Sequence, residues 1–216
     1  VHQIWGFEHT HNVEQQIILN RLALWIKSKQ TDSFMDDKFE FATGLREGRG
    51  VIAAKDLKQG EHAMSIHRDI MMTHGYAMNR SDEKIRRFLK KDTLCQNMPS
   101  LVLVLFVWYE RMKGKKSMWK PYLDALPKWF GLPHECKIKD LIPFLRGSLI
   151  LDKIIRLKIS HLRHYTYSRL MLSRAGIEPG LRLVDYLWAA GVVMSRQNRI
   201  PSEHNAEESE LALIPG

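Results

Sequence analysis

The sequence predicts an α+β protein in which a short β-rich region precedes a large block of helices. From residue 39 to residue 73, glycines divide the chain into short apolar segments such as 51–54 and 63–66, with a turn over 56–61. This texture is typical of strands joined by turns. The following stretches repeat their apolar residues at helical spacing. A final apolar segment, Leu211–Ile214, predicts the return of a strand.

The helices are bounded by local signals. A first helix is predicted over residues 13–29, where Ile18, Leu22 and Ile26 recur on one face. Glycine at a helix C-terminus and proline beyond it both stop a helix, as Gly114 and Pro201 do here. The other predicted helices cover residues 82–91, 101–113, 149–174 and 183–196, with a helical turn over 119–127.

Composition narrows the class of protein but does not choose a function. The 216 residues are 44% hydrophobic, which excludes a solvated disordered chain. Lys and Arg number 33 against 24 Asp and Glu, so the net charge of +9 favours an acidic partner. Cys95 and Cys136 are too few for a disulfide scaffold or a zinc-finger module. The longest apolar run, residues 101–109, is shorter than the ~20 residues that span a membrane.

A glycine pair, Glu47-Gly48-Arg49-Gly50, is the first candidate site. Glycines let a backbone approach a ligand closely. The pair lacks the third glycine and the following helix of a dinucleotide fingerprint, so the residues alone favour a structural turn.

A second candidate is Arg196-Gln197-Asn198, at the end of the last predicted helix. Arginine binds carboxylates through its planar fork, and an asparagine amide offers both a donor and an acceptor. The same side chains could instead satisfy the last helical carbonyl groups. Spacing alone leaves both interpretations open.

Histidines and basic clusters favour plainer interpretations. His161 and His164 share a helix face, but no acidic or cysteine ligand accompanies them, so we predict solvated surface histidines and no metal site. A nucleic-acid groove would need interleaved aromatic residues, and Phe88 and Trp119 have the spacing of core residues. We therefore predict solvated faces for the basic clusters at residues 80–91, 113–120 and 153–163.

Three segments resemble the SET-domain protein methyltransferases, in the branch related to the Rubisco lysine methyltransferases. They are EGRGVIAAKDLKQGE at 47–61, MWKPYLDALP at 118–127, and residues 185–201 followed by 211–215. The third segment is most similar to the actin-histidine N-methyltransferases. The resemblance implies the N-terminal half of a SET β-fold that carries a large helical insertion. It also implies four segments: an N-terminal helical segment (1–38), the first SET part (39–78), the insertion (79–190) and the start of the second SET part (191–216).

The function that the resemblance implies is methylation of a protein histidine from S-adenosyl-L-methionine. Actin is the implied substrate and partner, and the implied location is the cytoplasm, with the nucleus as an alternative. Residues Glu47, Gly48 and Arg49 match positions against the cofactor, and Arg196 matches the one that binds its carboxylate. The implied substrate groove is lined by Gln197, Asn198, Ile200, Pro201, Leu211 and Ile214.

Asn198 separates the two chemistries of the branch. The histidine enzyme has asparagine at this position, whereas the lysine-specific relatives carry an apolar residue. An amide suits an imidazole, because its two nitrogens need different partners, and a lysine stem prefers an apolar wall. We therefore expect Arg196 and Asn198 to face a methyl-donor cleft.

Departures from the family limit this expectation. The family usually has an apolar or aromatic residue where Arg49 stands, and it continues past the position of Gly216 with an Asn-His pair and a catalytic tyrosine. We therefore predict no catalytic residue within the chain, so that it binds cofactor poorly and is an inactive fragment. We also predict an open strand edge near residues 211–215.

Alternatives remain open at this point. One is a protein-lysine methyltransferase, which Asn198 disfavours. Another is a non-catalytic basic module that docks on an acidic protein surface. Neither a membrane nor nucleic acid is a predicted partner, since charge is the sole argument for them.

Overall fold

The computed structural model describes residues 12–29, 38–46, 48–62, 64–203 and 207–215, and it confirms the α+β class. The helices are α1 (Asn12–Lys29), α2 (His74–Asn79), α3 (Glu83–Lys91), α4 (Thr93–Asn97), α5 (Pro99–Lys113), α6 (Lys120–Ala125), α7 (Ile138–Leu145), α8 (Leu149–Arg174) and α9 (Leu183–Arg196). The strands are β1 (Phe39–Leu45), β2 (Gly48–Ala53), β3 (Met72–Thr73), β4 (Gln197–Pro201) and β5 (Ser209–Leu213).

The chain forms two compact units. The first comprises residues 1–71, 118–126 and 215–216, and the second comprises 72–117 and 127–214. The four segments implied by the family resemblance follow the order of the chain, and that division stays a prediction.

In the first unit, α1 packs on β1 and α6 through one apolar face. Leu19, Leu22 and Ile26 are buried there at helical spacing. The side chain of Gln16 joins the helix to the strand: its Nε2 donates to the Phe41 carbonyl oxygen over 2.9 Å. The predicted first helix is therefore confirmed, with its buried stripe shifted to include Leu19.

β1 and β2 form an antiparallel hairpin, in which Gly48 begins β2 and Gly50 lies within it, paired with Ala42. Gly48 has a φ of +95°, a backbone conformation that favours glycine. The strand predicted over residues 63–66 is wrong for the described residues 64–66, which pair with no strand. Alternating apolar residues do not supply the neighbouring strand that would satisfy their backbone groups.

The core of the second unit is α5, whose residues 101–108 are all buried. It packs against α9 and α2. Gly114 ends the helix with a φ of +55°, as the sequence predicts. Glu110 is 1% exposed, and its carboxylate accepts hydrogen bonds from Ser117 Oγ over 2.6 Å and from Lys113 Nζ over 2.9 Å. These bonds satisfy a carboxylate that burial would otherwise destabilise.

A three-stranded antiparallel sheet completes the second unit, in the order β3-β5-β4. Ala212 pairs with Thr73 on one side and with Asn198 on the other, and Leu213 is likewise paired on both sides. The predicted open edge near residues 211–215 is therefore wrong at these two positions. The sequence could not show that β3, a strand of two residues far upstream, would cover that edge.

The long helices α8 and α9 have the bounds that the sequence predicts. Ser148 caps α8, since its side-chain oxygen accepts a hydrogen bond from the backbone N–H of Ile150. Among the described residues, no helix combines the length and the apolar character that crossing a membrane requires.

Candidate functional site

A cleft of about 890 Å³ opens in the second unit where β4 and β5 meet α2 and the start of α5. Both strands and the helix contribute side chains that carry chemistry. They include His74 from α2, Gln197, Asn198 and Arg199 from β4, and Glu210 and Leu211 from β5. The cleft is therefore mixed in charge, with an acidic and a basic side chain on adjacent strands.

Glu210 fixes α2 to the sheet at the cleft. Its Oε2 accepts a hydrogen bond from the backbone N–H of Gly75 over 2.6 Å. A Cβ at residue 75 would lie 2.6 Å from that same oxygen, so only glycine allows the approach. A hydrogen bond to an ionised carboxylate is stronger than a neutral one.

His74 lies half-buried beside this bond. Burial lowers the pKa of its imidazole, and the negative charge of Glu210 partly opposes that change. Burial therefore favours the uncharged form of the His74 ring, which lies next to a carboxylate in the cleft.

Asn198 stands on β4 opposite Ala212 of β5. Its Nδ2 donates to the carbonyl oxygen of Arg196 over 3.1 Å, and its side chain is exposed to the cleft. This bond orients the amide and leaves its Oδ1 as the acceptor for a bound group.

Arg196 is the last residue of α9, and its neighbours hold the guanidinium in place. One of its NH groups donates to Ser195 Oγ over 2.8 Å, and the guanidinium carbon lies 5.1 Å from the centre of the Phe130 ring. The ring lies against Gly191, where a Cβ would come within 2.7 Å of it. The carboxylate of Glu135 accepts the backbone N–H of Phe130. Arg196 is not among the residues that line the cleft, so the structure brings Asn198 to it but not Arg196. A guanidinium held in this way nevertheless fits a carboxylate ligand.

The first unit holds the other residues predicted to contact a cofactor. Gly48 begins β2, and Arg49 follows it with its side chain half-buried. The guanidinium of Arg49 donates to the carbonyl oxygen of Ala125 over 2.8 Å, at the end of α6. Glu47 lies outside the described residues. The cofactor-binding roles of Glu47, Gly48, Arg49 and Arg196 stay predictions.

The residues predicted to line a substrate groove divide into two groups. Gln197, Asn198 and Leu211 line the cleft together. Ile200 and Pro201 lie farther along β4, where they pair with Glu210 and Ser209, and Ile214 follows the end of β5 half-buried. Their roles in substrate binding also stay predictions.

Sequence reasoning missed His74, Gly75 and Glu210. The bond between Gly75 and Glu210 joins residues 135 positions apart, so no local pattern could indicate it. The available signal was Glu210 itself, an acidic residue at the head of an apolar strand.

The prediction that His161 is a solvated surface residue is wrong. Both of its ring nitrogens are buried, and its ring centre lies 4.8 Å from that of His134 and 6.1 Å from that of Tyr186. His134 belongs to the segment between α6 and α7, whose position against α8 has no local signature. Within the described ranges, no three histidine, cysteine or acidic side chains converge as metal ligands would.

Comparison with solved structures identifies the fold as that of a SET domain. The structure matches the SET domain of LSMT bound to lysine and AdoHcy with a TM-score of 0.76 at 18% identity, covering 92% of this chain and 42% of that chain. It matches Rubisco LSMT bound to sinefungin and monomethyllysine with a TM-score of 0.73 at 19% identity, covering 92% and 43%. The resemblance to SET-domain proteins that the sequence predicts is confirmed.

The sequence is also similar to actin-histidine N-methyltransferases. The protein of that name from Danio rerio is 30% identical over 185 residues, which is 83% of this chain and 30% of the relative. The one from Gallus gallus is 28% identical over 183 residues, or 82% and 30%. The chain thus spans about 30% of the length of these curated relatives. No protein-family profile matches it.

Proposed function

We propose that this chain belongs to an S-adenosyl-L-methionine-dependent protein-histidine N-methyltransferase and that actin is its protein substrate. The observation that carries the proposal is Asn198, which lies with Gln197 and Leu211 in one cleft of the second unit. The fold and the names of the relatives agree with this function.

The side chains at the end of α9 fit the carboxylate of the cofactor. S-adenosyl-L-methionine, when bound, supplies a methyl group that its positive sulfur already activates. The Arg196 guanidinium, held by Ser195 and the Phe130 ring, would bind its carboxylate. The family resemblance also implies cofactor contacts at Glu47, Gly48 and Arg49.

Asn198 selects the reactive form of the target. Because its Nδ2 already donates to the Arg196 carbonyl oxygen, the remaining Oδ1 accepts the N–H of a neutral target imidazole. That bond leaves the second ring nitrogen unprotonated, with its lone pair available for alkylation. The rest of the task is alignment of that nitrogen, which is a matter of positioning. A lysine stem offers no N–H to this acceptor along its length.

A transfer assay tests the proposal. The chain is incubated with methyl-labelled S-adenosyl-L-methionine and actin, and the actin is hydrolysed for amino-acid analysis. Label in methylhistidine supports the proposal, and label in methyllysine assigns the lysine alternative. Actin binding without label matches both the predicted inactivity of residues 1–216 and the non-catalytic basic module, and the Asn198→Val binding test separates these two. Absence of both label and binding refutes the proposed substrate.

Asn198→Val tests the role of the amide through binding. We expect it to weaken binding of a histidine-containing actin peptide by about five- to tenfold, the value of one hydrogen bond. Binding of the same peptide with lysine in place of the histidine should not weaken. Asn97→Val is the matched control, because Asn97 is an exposed asparagine on α4 that does not line the cleft. Equal losses for both peptides would contradict the selective role.

Two further expectations belong to this proposal. Poor cofactor binding by residues 1–216 stays a prediction, and calorimetric detection of micromolar S-adenosyl-L-methionine binding would refute it. A cytoplasmic location also stays a prediction, which imaging of the tagged protein checks.

A further inference from the structure

Helix α8 has a stripe of exposed apolar side chains on the face that points to solvent. Ile155, Ile159 and Leu162 are 37%, 43% and 47% exposed, and Thr166 continues the same spacing of four, three and four residues. That spacing is the a/d pattern by which one helix packs along another. A different face of α8 is already packed, since Ile154, Ser168 and Leu172 are buried.

Cationic side chains flank this stripe on both sides. Helical geometry places Arg156 and Arg163 along one flank, and Lys158 and Arg169 along the other. Arg156 pairs with Asp152, the one carboxylate on α8, but both side chains are mostly exposed, so this ion pair contributes little and can exchange. Lys158 Nζ donates to the His134 carbonyl oxygen, so the Arg156–Arg163 flank is the more available one.

We propose that this face of α8 docks an acidic amphipathic helix of a partner protein. Apolar residues of the partner would cover Ile155, Ile159 and Leu162, and its carboxylates would pair with Arg156 and Arg163. The proposal does not depend on the methyl-transfer chemistry, because none of these residues lines the cleft.

Charge and shape distinguish this partner from the other possible occupants. A second copy of α8 would bring arginines against arginines or lysines, which costs free energy. A helix that binds a membrane surface needs a broad apolar face, whereas this stripe is only one residue wide at each turn. An acidic helix satisfies both the width of the stripe and the charge of its flanks.

Two labelled synthetic helices test the proposal on the intact 216-residue chain. Both carry leucine along one seam, and their flanking positions are glutamate in one and lysine in the other. Fluorescence anisotropy should show the glutamate peptide binding at least about tenfold more tightly than the lysine peptide, a preference that weakens as salt rises. Equal binding of the two peptides, or no binding of either, overturns the proposal.

Variants of the chain locate the binding face. The double variant Arg156→Glu/Arg163→Glu should reverse the preference toward the lysine peptide. Ile159→Asp should weaken binding of the glutamate peptide by about tenfold, as expected for a central apolar contact. The control Lys84→Glu/Lys91→Glu changes two exposed cations on α3 and should leave the preference intact.

Circular dichroism of each variant checks that the fold is kept, and the two peptides on the unmodified chain remain decisive if one variant fails to fold. Binding of phosphatidylserine vesicles that is lost in Ile159→Asp would assign the face to a membrane and overturn the proposal. Dimerisation of the chain that is lost in Ile159→Asp would assign the face to a second copy and would likewise overturn the proposal.

Discussion

Gly75 and Glu210 show how one contact shapes the cleft at the scale of single residues. The carboxylate of Glu210 reaches the Gly75 N–H over 2.6 Å because no Cβ occupies the space between them. The same carboxylate faces His74 and opposes the lowering of the pKa of its imidazole by burial. A single glycine therefore sets both the position of a charge and the electrostatics of a neighbouring ring.

Gly75→Ala should displace the Glu210 carboxylate, because the new Cβ would lie 2.6 Å from its oxygen. Loss of this charged hydrogen bond should lower the free energy of unfolding by about 1–2 kcal/mol in a denaturant titration. In the double variant Gly75→Ala/Glu210→Ala, the Glu210→Ala substitution should lower the free energy of unfolding by less than it does in the single variant. Additive costs of the two substitutions would show that they do not interact.

At the scale of elements, the end of α9 depends on the segment that packs against it. Phe130 lies under the Arg196 guanidinium and against Gly191, one turn and a half earlier in the helix. Trp188 Nε1, on the same helix, donates to the Pro127 carbonyl oxygen over 2.9 Å. The segment that begins at Pro127 thus positions the residue that we expect to bind the cofactor carboxylate.

Gly191→Val should disturb this packing, since a Cβ would meet the Phe130 ring at 2.7 Å. Overpacking of this kind should lower the free energy of unfolding by about 2–3 kcal/mol, measured by chemical denaturation. The control Gly180→Ala adds a Cβ with no atom within 4 Å and should cost far less. Recovery of stability in Gly191→Val/Phe130→Leu would identify the ring as the cause, and failure to recover would contradict this account.

At the scale of the whole molecule, buried histidines make stability depend on pH. Burial is the main cause that lowers the pKa of His161, to about 4, and the positive charges of His134, His164 and Lys158 add to it. Burial also lowers the pKa of His134, which Glu135 opposes and Lys158 reinforces. The ring of Tyr186 lies against His161, and Tyr165 packs on Tyr186 in turn. A histidine with a lowered pKa takes up protons more readily in the unfolded chain than in the folded one.

Stability should therefore be complete above pH 6.5 and should fall as the pH drops from 6.5 toward 4, because the unfolded state gains protons over that window. His161→Phe removes one such group. It should reduce the slope of unfolding free energy against pH by at most about 1.4 kcal/mol per pH unit. Denaturant titrations between pH 7 and 4 measure the slope, and an unchanged slope would contradict the assignment. His62→Phe, at an exposed histidine, is the control.

The features of this structure that the sequence predicts are those whose interacting residues lie close together along the chain. The bounds of α8 and α9 were predictable because helical spacing, a serine cap and glycine or proline stops lie within a few residues of one another. Asn198 and Leu211 could be singled out through the family resemblance, and they line one cleft. The strand at 63–66 was wrong because a strand needs a partner that its own residues do not reveal.

By itself, the sequence determined the α+β class and the long helices, since these depend on local order along the chain, and its resemblance to a family singled out the candidate residues at the end of α9. The tertiary structure alone decided that β5 lies between β3 and β4, that Glu210 bonds to Gly75, and that His134 buries His161. Each of these contacts joins residues far apart in the chain. Their partners are chosen by the packing of the whole unit, which no local pattern encodes.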